Sequence, residues 1–410
     1  MGVLKKQLAK IEKKFNESKP GQVDDKTLLV PTGMDVIDYA CGSVNETDEG
    51  DYVENGIPMG KIIMYVGQSQ SGKTTKAIQD AHKIAVDSGL NGDIIIADFE
   101  RSLSKVKQRV MNITGCDEET FDDTYTIFRN DDLTTESLKE IICNIAEEKE
   151  AMGKTAMTQW YNSNGEEITI FTPTIVIIDS IPTMRCKELL EKSTLDSNMA
   201  GATIAKANSG FVKSILHLLE RYNITIMGVG HITVKVNINP YDVKPPLVPG
   251  LKSDENIPGG NSFIYYASYI FKLWSGETVK ADKGLYVAGR IVNCSILKTR
   301  SGFNNKRLRL VFTEKKAFSN VLTNFMTLKD ANYLKGGGRA GFNIPALPEV
   351  KFTQKEFVRT YYTNEEFREA WDNSVSDYLT ELTIGDKSGE LYTESAAHGR
   401  KALAEDDFEE

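Results

Sequence analysis

The chain has 410 residues, 40% of them hydrophobic, and a formal net charge of −9. This composition predicts two or three domains with a substantial core, and the absence of an apolar stretch of about 20 residues argues against a membrane partner. The five scattered cysteines lack a C-x-x-C spacing, which argues against disulfides or a zinc site and for a cytoplasmic location.

An amphipathic helix is predicted near the start of the chain. Leu4, Leu8, Ile11 and Phe15 recur at helical spacing on a lysine-rich background, which predicts one apolar stripe. The stripe docks either on its own domain or on a neighbouring copy of the chain. A linker-like stretch follows, so residues 1–30 are predicted to be an N-terminal helix and linker.

Strands and helices alternate from residue 61 to residue 231. Continuous Ile and Val runs separated by helical patterns indicate a parallel sheet that is buried on both faces. An Asn-Gly pair at 164–165, between β-forming residues, predicts a hairpin insertion. The predicted strands cover 61–66, 93–100, 173–180 and 224–231, and the predicted helices cover 73–89, 134–152 and 205–223.

The pattern changes after residue 260. Three strand-like segments follow one another without helices, at 268–274, 290–299 and 306–313. They predict an antiparallel extension of the sheet, so the fold class is α/β with a core over residues 31–325. A small C-terminal α+β domain (326–385) with a helix at 364–382 and a disordered acidic tail (386–410) are predicted to follow.

A phosphate-binding loop is predicted at the end of the first strand. Residues 67–74 match G-x-x-x-x-G-K-[ST] between a buried strand and a helix. Glycines let backbone N–H groups turn toward an anion, and the helix N-terminus adds positive potential. The pattern predicts ATP with Mg²⁺, with Lys73 at the β- and γ-phosphates and the Thr74 hydroxyl on the metal. The residues predicted to contact the nucleotide are Gly67, Gln68, Ser69, Gln70, Ser71, Gly72, Lys73, Thr74 and Thr75.

Polar side chains end three later strands. Asp179 is predicted to organise Mg²⁺ and water, although it could instead cap the next helix. Glu100 is predicted to orient and deprotonate the attacking water, with Asp98 on the same strand competing for that role. His231 is predicted to contact the γ-phosphate; the alternative is an ordinary hydrogen-bonded histidine at a strand end.

The segment after His231 has neither a helical nor a strand period. Residues 232–261 hold five of the twelve prolines of the chain. A loop of this length inside a domain is usually functional or disordered. Its place directly after the predicted phosphate contact predicts a switch that is ordered by bound nucleotide. Its charges balance, so composition leaves contact with nucleic acid open.

Several stretches resemble the RecA-type recombinases, in particular those carried by large bacteriophages. They cover about residues 5–320 and read QLAKIEKKFN, VPTGMDVIDYACG, GIPMGKIIMYVGQSQSGKTT, IADFER, IVIIDS, LDSNMAG, IPGGNSFIYYAS and ILKTRSG. The resemblance implies a DNA-dependent ATPase that forms a right-handed helical filament on single-stranded DNA and promotes homologous pairing and strand exchange with duplex DNA. ATP would lie between adjacent subunits, and the protein would act in the bacterial host cytoplasm if phage-encoded.

The resemblance also implies residue roles. Glu100 would be the catalytic carboxylate, and Lys298 and Arg300 would act on the γ-phosphate of the neighbouring subunit's ATP. Two DNA-binding loops are implied, at 195–201 and within 232–261. The residues expected to contact DNA are Met199, Lys206, Lys213, Lys235, Val236, Gly259, Gly260 and Asn261. A loader or a single-strand-binding protein is a candidate further partner.

Two other functions stay open at this point. A ring helicase or another hexameric DNA motor uses the same kind of core, and a nucleotide-gated scaffold would bind single strands without hydrolysis. Glu100 separates the scaffold from the other two, because a scaffold has no need of a carboxylate that activates water.

Overall fold

The computed structural model describes residues 28–45, 52–101, 105–129, 131–161, 167–191, 197–234, 245–280, 287–300, 306–314 and 317–388. The predicted N-terminal helix and the tail from residue 389 onward lie outside these residues. Within the described ranges, no helix combines the length and the apolar composition needed to cross a membrane.

A nine-stranded sheet forms the centre of the fold. Its strands in chain order are β1 (Ile62–Gly67), β2 (Asp93–Asp98), β3 (Tyr125–Phe128), β4 (Thr174–Asp179), β5 (Ile224–His231), β6 (Tyr269–Lys280), β7 (Val287–Lys298), β8 (Lys306–Thr313) and β9 (Ala317–Phe318). They lie side by side in the order β9-β8-β7-β6-β1-β5-β4-β2-β3. Neighbours from β6 to β3 run parallel, and those from β6 to β9 run antiparallel. The predicted α/β class with an antiparallel extension is confirmed.

Helices connect and cover these strands. In the described ranges they are α1 (Asp35–Cys41), α2 (Lys73–His82), α3 (Val106–Thr114), α4 (Glu118–Thr124), α5 (Thr135–Met152), α6 (Lys187–Glu191), α7 (Ser197–Arg221), α8 (Asn261–Tyr266), α9 (Asn320–Asp330), α10 (Phe357–Thr363) and α11 (Glu365–Ser388). A π-helical turn (Lys83–Asp87) extends α2, and 3₁₀ turns cover Ile181–Thr183 and Gly338–Ala340.

The central strands are apolar throughout because both of their faces are covered. On β1, Ile63 and Tyr65 belong to one apolar cluster, whereas Ile62, Met64 and Val66 belong to the other. Alternate side chains of a strand point to opposite faces, so an uninterrupted apolar run implies two buried layers. Helix α2 packs on β1, β4 and β5, and α7 packs on β5 and α5. This arrangement places the carboxyl ends of β1, β2, β4 and β5 at one edge of the sheet.

Short strands outside the central sheet form separate pairs and one three-stranded sheet. The predicted hairpin insertion is confirmed as an antiparallel pair, Ala156–Tyr161 with Glu167–Ile170, although its Asn-Gly turn lies outside the described residues. The other short strands are Leu29–Val30 with Ile57–Pro58, Ser43–Asn45 with Tyr52–Glu54, Thr233–Val234 with Glu255–Asn256, and the three-stranded sheet Lys335–Gly336, Phe342–Ile344 and Leu347–Phe352.

An aromatic cluster organises the C-terminal region. The ring of Phe357 lies 4.7 Å from that of Phe325 and 4.6 Å from that of Trp371, centroid to centroid. These residues belong to the same apolar cluster as one face of the central sheet. The predicted boundary at residue 325 falls inside α9, and the predicted tail from residue 386 overlaps the end of α11. The division into domains stays a prediction.

Two predicted loops are partly wrong. Helix α7 begins at Ser197, so Met199 of the expected first DNA-binding loop lies in a helix. The segment 232–261 holds a short strand pair, and buried Val248, Leu251 and Ile257 anchor it to the core. The body of α7 packs on α5 and β5, and extending an existing helix is easier than starting one, so the helix continues back to Ser197. In the segment 232–261, burial against distant parts of the chain stabilises structure for which the local sequence has no clear period.

Candidate functional site

The loop between β1 and α2 has the geometry that its glycines predict. Gly72 precedes α2 with φ +93°, and a Cβ built on it would lie 2.9 Å from Cζ of Phe318, so another residue would be strained there. Within the loop, the Ser71 hydroxyl donates to the carbonyl oxygen of Gln68 at 2.9 Å. The predicted nucleotide contacts therefore run from Gly67, the last residue of β1, through a compact turn at 68–72 into the first turn of α2, which holds Lys73, Thr74 and Thr75.

Lys73 holds its ammonium group inside this turn. Its Nζ donates to the carbonyl oxygen of Gln68 at 2.6 Å, and the residue is 5% exposed. Burial lowers the pKa of Lys73, while the nearby charges of Asp179 and Glu100 oppose that shift. The lysine is therefore placed close to both carboxylates that the sequence assigns to the same site.

Asp179 meets α2 at the carboxyl end of β4. Its Oδ2 accepts a hydrogen bond from the Thr74 hydroxyl at 3.0 Å, and its Oδ1 has no hydrogen-bond partner among the described residues. The residue is fully buried, and burial raises its pKa to about 6, assisted by the charges of Glu100 and Asp98 and opposed by the Thr74 hydrogen bond. A buried carboxylate with an unused oxygen beside a hydroxyl fits a hard divalent cation, which prefers oxygen ligands.

Glu100 does not end its strand as predicted. Strand β2 ends at Asp98, because its neighbours β3 and β4 offer no pairing residue beyond that point. The backbone N–H of Glu100 instead donates to the carbonyl oxygen of Asp179 at 3.0 Å. Its carboxylate Oε1 lies 3.4 Å from Nε2 of His231, and both side chains are about one-third exposed. The pair therefore faces open space beside the loop.

Arg129 is a residue that the sequence analysis missed. Its Nε lies 3.4 Å from Oδ2 of buried Asp98, and its guanidinium donates to the carbonyl oxygen of Arg101 at 2.8 Å. These contacts hold the chain on both sides of Glu100, where Arg101 has a left-handed φ of +55°. Asp98, the competing candidate, is thus buried beside Arg129, with neither carboxylate oxygen hydrogen-bonded among the described residues, whereas Glu100 is accessible. The signal for Arg129 is its position directly after β3, at the same edge of the sheet.

Lys298 and Arg300 do not join this site within one chain. Strand β7 runs antiparallel to β6, so Lys298 pairs with Ile270, in the row of Met64 on β1. That row lies three residues, or about 10 Å, before Gly67 and toward the opposite edge of the sheet. The Nζ of Lys298 donates to the carbonyl oxygens of Ile264 and Tyr265 near the end of α8, at 2.9 and 2.7 Å.

The residues expected to contact DNA occupy two neighbouring elements. Lys206 and Lys213 are exposed on α7, seven residues and hence two turns apart, on the same side of the helix. Gly259 and Gly260 precede Asn261, the first residue of α8, which packs on α7. Met199 lies in the first turns of α7. Lys235 and Val236 lie outside the described residues.

Curated proteins named Protein RecA are similar to this chain. The protein from Ruminococcus albus is 22% identical over 338 residues, which cover 81% of this chain and 69% of that protein. The protein from Thermotoga sp. strain RQ2 is 22% identical over 303 residues, or 73% and 68% of the two chains. The protein from Xanthomonas campestris pv. campestris is 21% identical over 371 residues, or 90% and 86%. No protein-family model matches the chain.

These similarities support a relationship between this chain and the RecA family. An alignment over 90% of a 410-residue chain includes the whole stretch from Gly67 to Arg300. The similarity to RecA proteins therefore extends across the loop, the four strand ends beside it and both elements expected to contact DNA. It does not depend on the loop motif alone.

Proposed function

We propose that this chain is an ATP-dependent recombinase, which assembles on single-stranded DNA as a helical filament and promotes pairing with homologous duplex DNA. The observation that carries the proposal is the convergence, at one edge of the sheet, of Lys73, the Thr74–Asp179 contact and the Glu100–His231 pair. Ligands of parallel α/β sheets bind at the carboxyl ends of the strands. The similarity to RecA proteins supports recombination as the use of that site.

Each side chain at this edge has a distinct task in ATP hydrolysis. The N–H groups of the loop and the ammonium of Lys73 would bind the phosphates, and the Thr74 hydroxyl and Asp179 carboxylate would hold Mg²⁺. Bound Mg²⁺ would neutralise charge on the β- and γ-phosphate oxygens. Glu100 orients and deprotonates the attacking water, since it is the accessible carboxylate and Asp98 is paired with Arg129.

His231 reports the γ-phosphate to the segment that follows it. Its ring contacts Glu100 from the last position of β5, and Ile232 N–H donates to the carbonyl oxygen of Gly67 at 3.1 Å. A γ-phosphate beside Glu100 would compete for contact with the same imidazole nitrogen. Exchange of that contact would change the position of residue 231 and, with it, the start of the second DNA-binding segment.

Lys298 and Arg300 act on the ATP of a neighbouring subunit. They lie toward the opposite edge of the sheet from the loop of their own chain, so one chain cannot bring them to its own γ-phosphate. A nucleotide shared by two copies in a head-to-tail arrangement gives an open helical assembly when the rotation does not close. The two cations would stabilise transition-state charge as arginine fingers do.

DNA affinity comes from contacts that are independent of base sequence. Lys206 and Lys213 offer phosphate contacts from α7, and Met199, Lys235 and Val236 belong to the segments that approach the strand. Gly259, Gly260 and Asn261 end the second segment. Homology is then recognised by base pairing.

The assignment to the bacteriophage branch, in the host cytoplasm and with a loader or single-strand-binding partner, rests on the resembling sequence stretches.

The variant Glu100→Gln tests the proposal. It is expected to lower DNA-stimulated ATP turnover by about 100-fold or more while retaining ATP-dependent binding of single-stranded DNA, because only the proton acceptor is lost. ATPase assays and fluorescence anisotropy with labelled oligothymidylate measure the two properties. Glu150→Gln is the matched control, since exposed Glu150 pairs with Arg221 away from the site.

Electron microscopy separates the remaining functions. Helical filaments on single-stranded DNA with a slowly hydrolysed ATP analogue support the recombinase. Closed rings support a motor. Unchanged turnover in Glu100→Gln contradicts the assigned role of Glu100, and DNA binding that ignores nucleotide in the wild-type protein contradicts the proposed function as a whole.

A further inference from the structure

A buried asparagine connects the two elements that are proposed to bind DNA. Asn208 lies on α7 and is fully buried. Its Nδ2 donates to the carbonyl oxygen of Gly259 at 2.7 Å, and its Oδ1 lies 3.4 Å from the hydroxyl of Thr135. A buried amide with partners at both ends joins the elements that carry those partners. Here these are α7, the glycine turn at 259–260 and the first residue of α5.

The glycine turn is also packed against the nucleotide side of the site. Gly259 has φ +107°, and a Cβ on it would lie 2.7 Å from Cγ2 of Ile181. Ile181 is fully buried and follows Asp179 by two residues, in the 3₁₀ turn that leaves β4. The backbone at Gly259 therefore lies between that turn and α7. A movement of Asp179 that also moves Ile181 would therefore displace the glycine turn, because the interior is close-packed.

Thr135 connects the same amide to the far end of the turn after β4. Its backbone N–H and its hydroxyl lie 2.7 and 3.0 Å from the carbonyl oxygen of Arg185, which follows the 3₁₀ turn. Asn208 thus contacts structure on both sides of the segment 181–185, through Gly259 and through Thr135. This segment begins two residues after the proposed Mg²⁺ ligand, Asp179.

We propose that Asn208 is a positioning residue that couples the nucleotide site to DNA binding, by fixing the glycine turn of the second segment to the helix of the first. The proposal rests on the proposed function, because it presumes that nucleotide raises DNA affinity. Asn208 touches neither ligand. It makes α7 and residues 259–261 respond together when the turn after Asp179 changes, which is the physical requirement for coupling between two sites.

Asn208→Ala is the test. The measured quantity is the ratio of the Kd for labelled oligothymidylate without nucleotide to that with Mg²⁺ and a slowly hydrolysed ATP analogue. We expect the variant to lower this ratio by at least about fivefold, within the range typical of coupling between two sites. Affinity for a fluorescent ATP analogue is expected to stay within about twofold of the wild type, because the hydrogen bonds of Asn208 among the described residues go to Gly259 and Thr135 rather than to the phosphate loop.

Asn324→Ala is the matched control. Asn324 is also buried, and its Nδ2 donates to Oδ2 of Asp35 at 2.6 Å. It lies on α9, whose buried Phe325 and Leu328 belong to one apolar cluster, whereas the buried residues of α7 and α8 belong to the other. Truncation there leaves a similar buried gap, so it lowers the melting temperature without lowering the Kd ratio. A merely structural role for Asn208 would make the two variants behave alike.

A second variant protects the test against misfolding. Thr135→Val removes the hydroxyl next to Oδ1 while leaving Asn208 in place, and is expected to lower the ratio in the same direction by a smaller factor. Wild-type ratios in both Asn208→Ala and Thr135→Val overturn the inference alone. A wild-type protein whose DNA affinity ignores nucleotide overturns the proposed function, and the inference falls with it.

Discussion

Helix α2 presents two lysines to opposite environments. Lys73, at its first position, points into the phosphate loop, close to the carboxylates of Asp179 and Glu100. Lys76, one turn later, forms an ion pair with Asp80 behind the helix, where both side chains are 1% exposed. The two lysines have the same charge and nearly the same burial. They differ in what surrounds them.

The difference lies in unused hydrogen-bonding capacity. On the side of the helix that faces Tyr65, Oδ1 of Asp80 accepts a hydrogen bond from Lys76. Its Oδ2 accepts one from the Tyr65 hydroxyl at 2.6 Å, so both carboxylate oxygens have a partner. Burial raises the pKa of Asp80, and Lys76 opposes that shift. In front, Asp179 keeps one buried oxygen unpaired among the described residues. We therefore expect the side of α2 that faces Asp179 to bind a ligand, whereas the Asp80 group holds the helix on β1 through Tyr65.

The largest expected effect is on stability, from Lys76→Met. The variant removes one partner of a fully buried pair and leaves Asp80 as an uncompensated charge, so the free energy of unfolding should fall by about 3 to 5 kcal/mol. Urea denaturation monitored by tryptophan fluorescence measures the loss. The double variant Lys76→Met/Asp80→Leu should regain more than half of it, because no charge then remains buried. A single variant as stable as the wild type would contradict the structural role.

Lys73→Ala should lower ATP turnover strongly while leaving stability nearly unchanged, the opposite of the effect at Lys76. Removal of its charge from the phosphate site is expected to lower kcat/KM for ATP by about 10²- to 10³-fold, as for other groups that stabilise transition-state charge. Stability should change little, because the only protein partner of its Nζ that the structure records is the Gln68 carbonyl. Steady-state ATPase assays and thermal melts measure both. Lys83→Ala, on the exposed turn after α2, is the control and should leave turnover intact.

Arg129→Gln tests how strictly Glu100 must be positioned beside the phosphate loop. Loss of the bridge between Asp98 and the Arg101 carbonyl loosens the turn that carries Glu100. We expect kcat to fall by about 10- to 100-fold with KM for ATP within about twofold, because misplacement affects the attacking water more than nucleotide binding. Arg221→Gln, which breaks an exposed pair with Glu150, should leave kcat unchanged. A rise in KM alone would argue against positioning of Glu100.

The smallest expected effect is a loss of stability at a partly buried ion pair, which can be compared with the fully buried pair of Lys76 and Asp80. Lys272 and Glu255 are 14% and 12% exposed, and their charged atoms lie 2.5 Å apart, which joins the segment before Ile257 to β6. Lys272→Met should destabilise the fold by about 1 to 2 kcal/mol, between the loss at Lys76 and the roughly 0.5 kcal/mol expected for exposed Lys83. Urea denaturation of the three Lys→Met variants gives the series. An order that does not follow burial would break the comparison.

The sequence by itself determined the local features of this protein. Strand and helix order, the antiparallel extension, the hairpin at 156–170 and the loop between β1 and α2 depend on apolar period and on glycines within a few neighbouring residues. The strand ends also follow, because carboxyl ends of parallel strands share one edge, and this placed Asp179 and His231 beside the loop.

Only the tertiary structure decided what separates neighbours of the same type. Asp98 and Glu100 are competing candidates in the sequence, and which of them is accessible depends on partners as distant as Arg129. The sequence also does not show that Lys76 is buried in an ion pair with Asp80. The anchoring of 248–257 depends likewise on burial against remote parts of the chain. Burial and pairing are properties of the whole packed chain, whereas period and turn chemistry act over a few residues.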